Sequence, residues 1–127
     1  MQKESTSEVN GTAPQRKKTA PYTRRYPRFA MDVRINVQVF RAGSVNYLWG
    51  RSTEFGQDGI GGTLTGELEA GEVVSIEFAL PGSPLPVRVR AIVRYQIGLH
   101  YGFEFLTLTV AQRAAVMATC ERLAGVS

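Results

Sequence analysis

Thr23-Arg24-Arg25-Tyr26-Pro27-Arg28 sets three guanidinium groups within five residues. That spacing suits one kind of chemistry, the capture of an anion. Arginine stays charged at any pH the chain will meet. Its planar fork of donors grips phosphate oxygens two at a time, or lies flat against a base. Pro27 fixes its own φ and pushes Tyr26 towards extended backbone, so the segment is expected to be a shaped strap and not a helix. The competing reading is a basic tail that is merely solvated.

The second chemically suggestive stretch is Glu54 to Gly62. Four glycines, Gly56, Gly59, Gly61 and Gly62, fall within seven residues there. It reads as a bend or bulge where backbone can approach a ligand closely. Catalytic arrangements find no such support. His100 is the only histidine and sits in a strand pattern beside Leu99 and Tyr101, as a packed or surface histidine would. Cys120, the only cysteine, lies among apolar residues and reads as a buried structural thiol. One His and one Cys make neither a tetrahedral zinc set nor a nucleophilic triad, so no metal site is expected. Glu67, Glu69 and Glu72 surround a turn and read as a solvated rim, and Asp58 reads as a turn residue. No Walker loop or dinucleotide fingerprint is present. The chain is expected to bind something without transforming it, and so not to be an enzyme.

The charge is unevenly placed. Residues 1 to 28 carry seven basic and two acidic side chains, a net of +5, while the other 99 residues carry eight basic and nine acidic, a net of −1. A near-neutral body is poorly suited to gripping many phosphates of a nucleic acid at once, and one basic strap suits a small anion better. At 127 residues the chain is long enough for one modest core. A single cysteine excludes an internal disulfide, and no apolar run reaches the length of a membrane span, so a reducing, cytoplasmic setting without membrane insertion is expected.

These features must be positioned by the rest of the chain. Residues 1–21 are polar, with almost nothing to bury, and read as a disordered lead-in to a domain over 22–125. Val33, Ile35, Val37 and Val39 alternate with polar residues as in a half-buried strand. A turn at Ala42-Gly43-Ser44 leads to a second strand over 47–55, whose Tyr47 and Trp49 read as core aromatics in preference to a stacking platform. Thr63 to Thr65, Val73 to Leu80, Val87 to Arg94 and Ile97 to Leu106 supply further strands, with a proline-rich loop at 81–86 and a bend at Gly98. Thr109-Val-Ala-Gln112 is a capping box opening a helix that stops at Gly125 and is expected to bury Val116, Met117 and Leu123. About six strands joined by turns, then one helix, describe an all-β fold: an antiparallel sheet closed into a small barrel with the helix over one open end.

With these elements in order, the sequence resembles the PilZ domain family of bacterial cyclic di-GMP receptors. The family's strap, two arginines separated by three residues, is met by Arg24-Arg25-Tyr26-Pro27-Arg28. Its second motif, Asp or Asn, any, Ser, any, any, Gly, falls on Glu54-Phe55-Gly56-Gln57-Asp58-Gly59. Leu80-Pro81, Gly102-Phe103-Glu104-Phe105 and the last helix extend the likeness over residues 24 to about 123. The resemblance implies a six-stranded antiparallel PilZ-like barrel that binds cyclic di-GMP, with no cofactor. Its ligand-binding residues would be Arg24, Arg25, Arg28, Glu54, Gly56 and Gly59. Arg24 and Arg28 would meet phosphates and guanine edges, a pairing that guanine O6 and N7 favour. Glu54 and Gly56 depart from the family's acid and serine. Each lost hydrogen bond would weaken binding by roughly 0.5 to 1.5 kcal/mol. The implied output is a changed interaction surface for a downstream protein partner, in a monomer or a homodimer. The alternatives are a degenerate adaptor of pilus or motility machinery acting by protein contacts alone, and a small barrel binding single-stranded nucleic acid through its arm.

Overall fold

Alternating apolar and polar residues become strand almost wherever they occur. The computed structural model describes residues 25–125. It contains β1 (Phe29–Ala30), β2 (Arg34–Arg41), β3 (Ser44–Gly56), β4 (Gly59–Leu64), β5 (Val73–Ala79), β6 (Pro86–Ile97), β7 (His100–Thr107) and α1 (Val110–Leu123). The lead-in over 1–21 and Arg24 lie outside the described residues. Strands β2 to β7 form a closed antiparallel barrel in the order β3-β2-β5-β6-β7-β4, with β4 pairing back onto β3. Closure leaves none of these six strands as a free edge along its whole length. The short β1 adds to β3 through Phe29↔Phe55 and Ala30↔Glu54, which anchors the chain directly after the strap.

The inward faces are those the period of two predicts. Ile35, Val37 and Val39 on β2, Val74, Ile76 and Phe78 on β5, and Val89, Ala91 and Val93 on β6 are all buried. Phe78 packs edge-on against Phe55 and stacks on Phe105, at centroid distances of 5.9 and 6.0 Å. One end of the barrel is closed by the segment between β4 and β5. There Leu68 is buried, and the Tyr101 hydroxyl accepts from Leu68 N (3.0 Å) and donates to Gly66 O (3.3 Å). The helix covers the other end, tied by Gln112 Nε2 to Arg88 O (3.0 Å) and by an Arg122 guanidinium N–H to Pro81 O (2.7 Å). Its capping box forms as expected, and Gly125 follows with a φ of 82°.

Four expectations need correction. The helix buries Val116, Thr119 and Cys120, while Met117 is exposed and Leu123 half-buried. The positions i, i+3 and i+4 share a face, and Met117 lies off it. Tyr47 and Trp49 are exposed, because Leu48 and Gly50 take the inward positions of β3 and the pleat turns their neighbours out. The Trp49 indole lies instead beneath the Arg34 guanidinium, 4.6 Å from the ring centroid. The glycines from Gly56 to Gly62 are not a bend: only Gln57-Asp58 turns, and Gly59 to Gly62 are paired strand. Last, Glu72 belongs to no solvated rim, since Arg41 grips it at both carboxylate oxygens, at 2.8 and 2.7 Å.

Candidate functional site

Gly56, Gly59, Gly61 and Gly102 face outward, and together they pave a shelf on the barrel wall. Register places Gly56 opposite Gly59 and Gly59 opposite Glu104, while the next outward row runs Glu54, Gly61, Gly102, Tyr95 across β3, β4, β7 and β6. No side chain rises from the middle of either row, so long residues at the rim can lie flat over bare backbone. A Cβ on Gly56 would sit 2.7 Å from Arg28 Cδ and 2.8 Å from Pro27 O. One on Gly59 would collide with Phe103 O and sit 3.2 Å from an Arg28 guanidinium nitrogen. One on Gly61 would meet Glu54 Oε2 at 2.9 Å, and one on Gly102 would run into the Tyr95 ring. At Gly56 and Gly59 the obstruction includes backbone carbonyls, so glycine there serves close approach and not turning, while at Gly61 and Gly102 it leaves room for the Glu54 and Tyr95 side chains to lie on the wall.

The strap lies across this shelf. Arg28 is 11% exposed in its side chain and sits 3.6 Å from Glu54 Oε2 and 3.3 Å from Asp58 Oδ1. Asp58 is thus the turn residue expected and an ion-pair partner as well. Arg28 is no idle cation, since two carboxylates already flank it. Its Nε donor is buried and finds no acceptor among the described residues, so the pairing leaves the guanidinium incompletely satisfied, which is uncommon for a buried donor. Arg25 is exposed, with its guanidinium 5.7 Å from the Tyr26 ring centroid. The site therefore brings together four of the expected residues, Arg28, Glu54, Gly56 and Gly59. Arg25 is exposed beside Tyr26, and Arg24 lies outside the described residues.

Two bulges aim the rim. On β3 the register slips between Ser52 and Glu54, and on β6 between Val93 and Tyr95. An extra residue bends a strand and redirects the side chain after it. Ser52 fixes the first bulge from inside: its buried hydroxyl donates to Met31 O and accepts from Val33 N (2.9 Å). Tyr95, which sequence reasoning missed, donates its hydroxyl to Glu54 Oε2 at 3.3 Å, and the Tyr95 hydroxyl oxygen lies 3.3 Å from His100 Nε2. No local motif marks Tyr95; only the pairing of β6 with β7, of β7 with β4 and of β4 with β3 brings it into the row of Glu54. Beneath the strap, Cys120 lines a cavity of about 150 Å³ with Pro27, Phe29 and Gln57. Burial pushes its thiol pKa up.

A small antiparallel barrel with a basic strap folded over a glycine-floored outer wall is the class of domain so defined. A protein-family model of the PilZ domain matches residues 22–122, and the chain belongs to the PilZ domain family. No curated protein sequence matches it. Among solved structures it is similar to the inhibitor of motility MotI/DgrA of Bacillus subtilis (17% identity, TM-score 0.65), covering 87% of this chain and 56% of that one. It is similar also to the PilZ domain of YcgR from Escherichia coli with c-di-GMP (17% identity, TM-score 0.61), covering 82% of this chain and 93% of that one. The PilZ domain of CeSA from a cellulose-synthesizing bacterium is a third (16%, TM-score 0.57; 79% and 97% covered). At these identities the likeness speaks for the six-stranded barrel. The chain spans just over half the length of MotI/DgrA.

Proposed function

We propose that this domain is a cytoplasmic, non-enzymatic receptor for cyclic di-GMP. The dinucleotide lies on the glycine shelf and the arginine strap closes over it. The observation that carries the reading is the convergence of Arg28 and Glu54 on an outer wall whose Gly56, Gly59, Gly61 and Gly102 leave room for flat groups to lie against backbone. Guanine offers O6 and N7 to an arginine fork and N1–H and N2–H to a carboxylate, so Arg28 and Glu54 match its two edges. Arg24 and Arg25, just upstream on the strap, supply fixed positive charge for the phosphates. Closing the strap alters the surface around β1 and the end of α1, where a partner protein reads the change.

The closed pairing of Arg28 with Glu54 and Asp58 must loosen for the ligand, which trades one set of charge-assisted bonds for another. Titration calorimetry with cyclic di-GMP tests the reading. Saturable heat from the wild type is expected, with affinity reduced at least tenfold in Arg28→Ala. Absence of heat from the wild type at high micromolar protein overturns it.

A further inference from the structure

The reach of Glu54 across the shelf is set by residues that belong to neither motif. Glu54 and Tyr95 stand three strands apart in one cross-strand row, a span of roughly 14 Å at ordinary strand spacing. Their side chains nevertheless meet, because both positions between them are glycine. Glu54 lies over Gly61 and the Tyr95 ring over Gly102, so close that a Cβ at either position would push the side chain aside. Each partner also directly follows a bulge, so two separate irregularities aim at one hydrogen bond. Tyr95 has one hydroxyl proton, and it goes to Glu54 Oε2. The 3.3 Å contact from His100 Nε2 to the Tyr95 oxygen then requires His100 to be the donor, with its proton on Nε2. The two rings stack at 5.8 Å and 26°, which holds this alignment. The result is a directed chain from His100 through Tyr95 to Glu54, each link polarising the next.

We propose that Tyr95, oriented by His100, is a positioning residue for base selection: it pins the Glu54 carboxylate flat on the shelf, where that carboxylate accepts from the N1–H and N2–H edge of guanine. The inference rests on the cyclic di-GMP reading above. A glutamate has one more rotatable bond than the acid usual in this motif, and a bond to Oε2 removes that freedom before the ligand arrives. Adenine offers no N1–H, so the arrangement distinguishes the two purines at this edge.

Binding of cyclic di-GMP and of cyclic di-AMP to the whole chain, measured by calorimetry for the wild type, Tyr95→Phe and His100→Gln, tests this. Tyr95→Phe keeps the ring over Gly102 and loses only the hydroxyl. Its melting temperature should stay within a few degrees of wild type, while cyclic di-GMP affinity falls on the order of fivefold to tenfold. Affinity for cyclic di-AMP, however weak, should stay unchanged, so selectivity falls by the same factor. His100→Gln keeps an N–H donor but loses the stacked ring, and should lower cyclic di-GMP affinity, by less than Tyr95→Phe does. Equal cyclic di-GMP affinity in the wild type and Tyr95→Phe overturns the inference, as does a parallel loss for both dinucleotides. A wild type that binds neither overturns the receptor reading and this inference with it, a pattern distinct from the other two.

Discussion

Gly56 stands where the family motif has a serine, and the geometry explains the exchange. The stem of Arg28 and the carbonyl of Pro27 occupy the space a Cβ would need. Gly56→Ser therefore restores a family hydroxyl yet displaces the strap, and cyclic di-GMP affinity should fall, by roughly three- to tenfold on the scale of one lost polar contact, when followed by calorimetry. An increase would show that the strap yields to the serine. Glu72 makes a second residue-scale case. Hydrogen bonds from Arg41 hold its carboxyl below its ordinary value of 4.5. A carboxyl depressed in the folded state adds stability above its unfolded pKa, and that stability is lost as pH falls through the folded value. Urea melts should therefore show Glu72→Gln less stable than wild type at pH 7, with the difference shrinking by pH 3. A constant difference would assign the effect to packing instead.

Single elements carry their own marks of stability. The hairpin between β2 and β3 turns on two residues, Ala42 and Gly43, both at positive φ (49° and 81°). Asparagine or glycine is the usual occupant of the first position, and alanine is strained there. Ala42→Asn should stabilise the domain by about 0.5–1 kcal/mol in denaturant unfolding, with no change in ligand affinity. At the helix, Thr109→Ala removes the hydroxyl that accepts from Gln112 N and should destabilise by about 1 kcal/mol in the same assay. Both the alternation of Val33 to Val39 and the capping box were legible in the sequence, because each is a local pattern with a local cause. The phase of β3 was legible too, had Leu48 been read as the inward residue; aromatic bulk at Tyr47 and Trp49 argued the other way. The bulges left no sequence mark, since an extra residue in a strand looks like any other until the partner strand is known.

For the molecule as a whole, the strap holds the positive charge and the barrel holds the shape. A net of +5 over residues 1 to 28 against −1 elsewhere concentrates any phosphate attraction in the segment that carries the strap. Binding of a dianionic dinucleotide should weaken with added salt, and far less so in the paired variant Arg24→Ala with Arg25→Ala. Calorimetry between 50 and 500 mM salt measures this, and an equal slope in both proteins would place the phosphates elsewhere. The motif residues of the site could be named from sequence because the family pattern spaces them along the chain. Tyr95, Gly102 and His100 could not, because they join the site through strand pairing, which sets β7 beside β4 and β6 beyond β7. The fold also carries its own gauge. Cys120 is the only thiol in the chain and is walled in by Pro27 and Phe29, the residues that flank Arg28. A maleimide dye can reach it only in those moments when the strap has lifted or the helix has frayed, so its labelling half-time is a clock on that opening. Saturating nucleotide should lengthen the half-time severalfold, and the unmodified protein would thereby report its own closure.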